Sequence, residues 1–171
     1  VYAVGTVLAA QTLLLREYGR DRDSTLMASA ILTTNPFDDE FARRVGEMPG
    51  VEAAEGRASL SARVVLGPDA WRNIDLMSVA DFANMQVDSF PYVAGEWPDA
   101  KDELMLEWMG LDYIGAQIGD RITIELPDNT QREFTITGTM HHPQRPSPAI
   151  MGLTYAAVTP AGMEYLGGSY L

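Results

Sequence analysis

The chain has 171 residues, a formal net charge of -12 and no cysteine. Hydrophobic residues make up 46% and charged residues 21%, values of an ordinary globular chain with one core or two small lobes. So acidic a surface repels phosphate backbones and argues against nucleic acid as a partner. The lack of thiols excludes disulfides, thiolate metal sites and thiol nucleophiles.

Val1 to Leu15 is apolar except for Gly5, Thr6, Gln11 and Thr12, and Arg16, Glu17 and Arg20 end the run. It falls short of the ~20 apolar residues that span a bilayer. It also lacks the basic start and the cleavage site of a signal peptide. Two readings fit residues 1–20: an amphipathic helix on the domain, or the outer end of a membrane helix. After a polar break at Asp21-Arg22-Asp23-Ser24, Leu26 to Thr34 predicts a buried strand. Asn35-Pro36 predicts a helix start, with Asp38, Asp39 and Glu40 in its first turn. Phe37, Phe41, Val45 and Met48 form one apolar stripe, and Pro49-Gly50 stops the helix.

Ala58, Leu60, Ala62, Val64 and Leu66 alternate with polar residues and predict a strand. Gly67-Pro68-Asp69 is a turn, and Trp71 to Val79 returns as the second strand of a hairpin. Asp81 to Asp88 reads as a short helix or irregular chain. Glu103 to Leu106 predicts a short buried strand, and Met109 to Gly115 a helical turn. Gly119-Asp120 leads into a strand with Ile122, Ile124 and Leu126 on one face. Phe134, Ile136, Gly138 and Met140 mark the next strand of that meander. Pro143 to Pro148 predicts an exposed loop that excludes strand or helix. Thr154 to Val158 is a last strand, Thr159-Pro160 starts a helix, and Gly167-Gly168 closes it.

Strand followed by helix near both ends predicts that the ends meet. The expected fold is therefore α+β with two lobes. Residues 21–94 and 150–171 would form a mixed-sheet lobe, and 95–149 an inserted, mainly β lobe.

Residue types that carry chemistry are few. His141-His142 are the only histidines, and adjacent side chains of an extended strand point to opposite faces. No Asp or Glu lies near them at ligand spacing, so they read as loop-edge histidines and not as a metal site. Glu103 with Glu107, or Asp99 with Asp102, would need environments that separate their pKa values to act as an acid and a base. On so acidic a chain they read as solvated carboxylates. A Gly-x-Ser-x-Gly elbow and a phosphate-binding glycine loop are both absent from the sequence. Trp71, Trp97 and Trp108, with Met77, Met85 and Met109 among nine methionines, suit core packing better than a ligand groove.

One set of motifs does form a pattern. Gly95-Glu96-Trp97-Pro98 precedes Asp102-Glu103-Leu104-Met105-Leu106. Gly115-Ala116-Gln117-Ile118-Gly119-Asp120-Arg121-Ile122-Thr123-Ile124 follows, and Phe134-Thr135-Ile136-Thr137-Gly138 closes the series. Met48-Pro49-Gly50-Val51 gives an earlier helix-to-strand turn. In order and spacing this resembles the periplasmic core domain of MacB/FtsX-type ABC transporter permeases.

The resemblance implies a domain outside the membrane, between the first two membrane helices of a permease. Its expected partners are those helices, a second permease copy or homologue, and a cytoplasmic ATP-binding subunit, with an accessory or substrate lipoprotein besides. The implied role is to couple ATP-driven motion to export or extraction of a lipid, lipoprotein or peptide. No catalytic, cofactor-binding or metal residue is expected, and ATP hydrolysis belongs to the separate subunit. Pro49, Gly50, Gly95, Glu103, Gly115, Gly119, Asp120 and Gly138 are expected to specify the fold. The alternatives are a stand-alone cell-surface binding module, and a secreted hydrolase with a polar cluster around His141, His142 or Glu103.

Overall fold

A computed structural model describes residues 26–168 apart from 36, 38 and 144. The predicted helix or membrane-helix end at 1–20, the break at 21–24 and part of the Asn35-Pro36 helix start lie outside the described residues. Among the described residues there are seven strands: β1 Ser59–Gly67, β2 Ala70–Ser78, β3 Tyr92–Gly95, β4 Glu103–Glu107, β5 Arg121–Glu125, β6 Gln131–Met140 and β7 Leu153–Val158. Four short helices accompany them: α1 Asp39–Gly46, α2 Trp108–Ile114, α3 Pro148–Met151 and α4 Pro160–Tyr165.

The strands do not divide into two lobes. β1, β2, β7, β4, β6 and β5 pair in that cyclic order, and β5 pairs back onto β1. The predicted two-lobed α+β fold is therefore corrected to a mostly β domain built on a closed six-stranded barrel. The ten residues of β6 make closure possible. β4 runs parallel along one edge over Thr135–Met140, while β5 takes the other edge over Gln131–Thr135 and β3 continues along it. β7 lies between β2, to which it is parallel, and β4, to which it is antiparallel. Strands from the expected insert and the expected outer lobe thus share one ring.

Alternation then decides the interior. Val64, Ile74, Leu104, Ile124, Phe134, Ile136, Ala156 and Val158 are fully buried in one cluster. A barrel this narrow has no room for a lumen, so side chains fill it. Ile114 of α2, Met163 of α4 and Leu166 join the same cluster. Each of the large residues contributes roughly 1.5–3 kcal/mol by leaving water.

A second cluster forms outside the barrel. Phe82 and Phe90 of the chain between β2 and β3 lie with Met77, Met105, Met140 and Ala157, and Trp97 and Met85 pack on them. Trp97 stacks on Phe82 at 5.2 Å between ring centroids. β4 and β7 are consequently covered on both faces, and β7 has no exposed residue. Met77 and Met85 belong to this cluster, as core packing predicts, and Met109 is half-buried on α2. Trp71 and Trp108 do not share that fate and are about half exposed.

The structure departs from the local sequence reading at Leu26–Thr34 and Pro148, and adds detail at two further places. Leu26–Thr34 is not a buried strand: it is irregular, with Ile31 79% and Leu32 75% exposed. All six barrel strands already have neighbours on both edges, so none remains free for it to join. Its described ties are to Asp88, whose amide donates to Leu26 O and whose Oδ1 accepts from Ala28 N, both at 2.8 Å. The stripe on α1 is only partly covered, with Phe41 and Met48 exposed. Tyr92–Gly95 is a strand that the sequence reading missed, although Tyr and Val favour a pleated edge. Pro148, expected in an exposed loop, is buried and opens α3, where its missing N–H costs nothing.

Thr154 Oγ1 is buried on β7 without a hydrogen-bond partner. Replacing it with a methyl group of similar shape removes a desolvated, unpaired hydroxyl. Thr154→Val is expected to raise stability by about 1 kcal/mol. Urea denaturation checks this, and a loss of stability would mean that the hydroxyl is paired.

Candidate functional site

The expected fold-specifying residues come together around β3, β4, β5 and β6. Gly95 and Gly138 face each other where β3 crosses β6. A Cβ on Gly138 would come within 2.7 Å of the carbonyl oxygens of Ala94 and Glu96, and one on Gly95 would strike Thr137 O. The two backbones touch, and only hydrogen fits between them. Glu103 Oε2 accepts from the amides of Asp99 and Ala100 at 2.9 and 3.0 Å, which shapes the turn entering β4. Gly115 ends α2.

Gly119, at φ +96, donates its amide to Ile136 O at 2.7 Å. Asp120 Oδ2 accepts from Gln117 N at 2.8 Å, and Asp120 O accepts from Ile136 N. The Gly-Asp turn is thereby fastened to the middle of β6. Pro49-Gly50 stands apart from this group and ends the stretch after α1, where Val51 N donates to Met48 O.

The polar group that sequence reading missed lies where β4 and β6 leave the barrel side by side. Glu107 pairs in register with Met140, which places it beside His141 and His142. It is 2% exposed and is no solvated carboxylate. Its Oε2 accepts from His142 N at 2.8 Å, and its Oε1 lies 3.1 Å from His141 Nδ1. Trp108 Nε1 is also 3.2 Å from that nitrogen. One ring nitrogen cannot donate to the carboxylate and accept from the indole at once. In the tautomer whose Nδ1–H donates to Glu107 Oε1, the lone pair of the His141 ring lies on Nε2.

The two imidazoles diverge, as alternation predicts. His141 is partly exposed beside Trp108, whereas His142 is buried against Phe90 at 6.0 Å between centroids. Burial, reinforced by the charge of Arg145, lowers the His142 pKa to about 4. Glu103 and Glu107 do not form an acid/base pair. They sit four positions apart on one strand, about 13 Å along it. Among the described residues no three His, Asp or Glu side chains converge as a metal-binding set. The signal that would have found this group is the parallel pairing of β4 and β6, which has no short-range signature.

Glu107→Ala leaves the buried His142 amide without its acceptor. The expected cost is about 1–3 kcal/mol in urea denaturation, with Glu107→Gln recovering part of it because one oxygen remains. Equal losses in both variants would show that charge, and not the acceptor, is what the site uses.

The barrel face on β1 and β2 is more open, although Tyr155 of the adjoining β7 is buried under the Arg145 guanidinium. Register aligns Leu153, Asn73, Arg63 and Glu125 across β7, β2, β1 and β5, with Tyr155, Asp75 and Ser61 in the next outward row. Arg63 pairs with Glu125 and lies over the Trp71 ring, and Ser61 donates to Asp75 at 2.6 Å. An open groove of about 660 Å³ runs between this surface and Met151 of α3. No family model matches the chain, and no curated protein matches it. The motif residues and these two surfaces are what a functional reading has to use.

Proposed function

We propose that the chain is the extracytoplasmic domain of an ABC transporter permease of the MacB/FtsX type. The observation that supports this reading is the placement of its motif. Gly95, Glu103, Gly115, Gly119, Asp120 and Gly138 each fix a turn or a close approach within the single unit β3–β4–α2–β5–β6. A motif that specifies a backbone is what a conserved scaffold requires, and none of its side chains is spent on a reactive group. On this reading a filled barrel moves as one rigid body when the membrane helices move. It would sit on the extracytoplasmic side with a second permease copy or homologue. An ATP-binding subunit on the cytoplasmic side would supply the energy to move a lipid, lipoprotein or peptide.

The hydrolase alternative gains least. The free Nε2 of His141 could serve as a base, yet among the described residues no hydroxyl is hydrogen-bonded to that histidine. The more open face on β1 and β2 is compatible with a stand-alone binding module. Sequencing the reading frame on either side of this segment separates the two. A membrane-length apolar run of about 20 residues continuing before Val1, with further such runs after Leu171, is the expected result. Polar flanks would overturn the permease reading and leave the binding module.

A further inference from the structure

The Phe82–Trp97 chain covers the barrel exterior at β4 and β7, whereas an open groove lies over β1 and β2 beside α3. The groove is not a plain solvated sheet face. α3 projects Ile150 at 80% exposure and Met151 at 52% from its edge, and Trp71 is 50% exposed on the same side. Met151 lines the groove directly, and Trp71 reaches it through the Arg63 guanidinium 5.2 Å from its ring centre. Met151, Leu153 and Pro127 line the groove itself, with Ile150 next to Met151 on α3, and adjoining apolar side chains mark contact surfaces more often than singly scattered ones do.

The charges around the groove say what would fit. Its cation, Arg63, is already committed to Glu125 and to the Trp71 ring. Asp75 accepts from the neutral Ser61 hydroxyl and forms no ion pair among the described residues. The whole chain carries -12. A second copy would bring like charge to like charge, and an anionic bilayer would do the same. A segment with aliphatic side chains on one face and Lys or Arg beside them meets both demands.

We infer that the groove between α3 and the outer face of β1 and β2 docks a basic amphipathic segment of a partner protein. Its aliphatic side chains cover Ile150 and Met151, and its cations reach Asp75 and the Glu125 edge. The surface is independent of the transporter assignment, since it uses none of the motif residues, although Glu125 lies on β5 of the motif unit.

The test uses the 171-residue chain and a model peptide of about 15 residues, long enough to form a helix on contact, with leucine at helical spacing and lysine elsewhere. Binding is followed by titration calorimetry at two salt concentrations. The lysine peptide is expected to bind, to weaken as salt is raised, and to lose about tenfold in affinity with Ile150→Asp or Asp75→Asn. Both positions are on the surface, and an unchanged melting temperature shows that the variants fold. A peptide with glutamate in place of lysine is expected not to bind. Equal binding by Ile150→Asp would overturn the proposal, because the peptide would then be reading bulk acidity. Binding of the glutamate peptide would also overturn it. So would a dimer in sedimentation that Ile150→Asp abolishes, since the occupant would then be a second copy.

Discussion

Gly138→Ala is expected to lose about 3 kcal/mol of stability. The added methyl would sit 2.7 Å from two carbonyl oxygens, on Ala94 and Glu96, and 2.8 Å from Met105 Cε. Met105 can turn away, but the carbonyls are backbone of the strand that crosses here. Relief therefore requires β3 to lift off β6, which breaks the Glu96 N to Thr137 O bond at 2.9 Å. It also loosens Trp97, whose ring closes the outer cluster between Phe82 and Phe90. Urea denaturation would measure the loss, and near-ultraviolet circular dichroism would report the indole. A cost below about 0.5 kcal/mol would show that β3 is not pressed against β6. Gly115→Ala is the useful contrast, because a methyl there meets nothing within 4 Å and only backbone strain opposes it.

Acid is expected to weaken the fold through one residue, His142. Its folded pKa is about 4, against 6.5 without the fold, with burial the largest cause and Arg145 the next. Below pH 6.5 the unfolded chain binds a proton that the folded chain refuses. Stability therefore falls as pH drops from 6.5 to about 4 and is level in this respect beyond that. The total is on the order of 3 kcal/mol, and its steepest slope is about 1.4 kcal/mol per pH unit. Carboxylates titrate in the lower part of this window as well, so the comparison is with His142→Leu. That variant keeps the backbone amide that Glu107 binds and removes only the titrating ring. The gap between the two proteins in unfolding free energy from urea denaturation should change by that amount between pH 7 and pH 4. Parallel curves would mean that the ring is protonated within the fold.

Local pattern reveals the elements of this protein far better than their arrangement. The β1–β2 hairpin, the β5–β6 meander and the Thr159 cap of α4, which accepts from Gly162 N at 3.0 Å, were legible because their signals lie within a few residues. β4 and β7 were legible as buried runs, yet nothing local says that they are neighbours. Two pairings decide the fold, β2 with β7 and β4 with β6, and both are parallel and distant in sequence. Parallel partners carry no turn to announce them, so a closed ring and a pair of lobes look alike in the sequence. Glu107 illustrates the same limit at the site. Its spacing from His141 is meaningless along the chain and is set by the register of β4 on β6. Leu26–Thr34 shows the reverse case, where apolar and β-branched residues alone suggest a strand, yet the segment joins neither the closed ring nor the open edge of β3.

The position of β7 in the ring has a consequence for how the chain must be made. β7 is the last of the described strands in chain order, yet it stands between β2 and β4. Until it emerges, both of those earlier strands expose a row of unpaired amides and carbonyls beside buried residues such as Leu76, Met77, Leu104 and Leu106. Exposed edges of that kind recruit other chains. A nascent or truncated chain ending before Leu153 is thus an aggregation hazard, whatever its earlier hairpins have achieved. Ring closure is a single late event, and whatever shields the growing chain has to remain in place until it occurs.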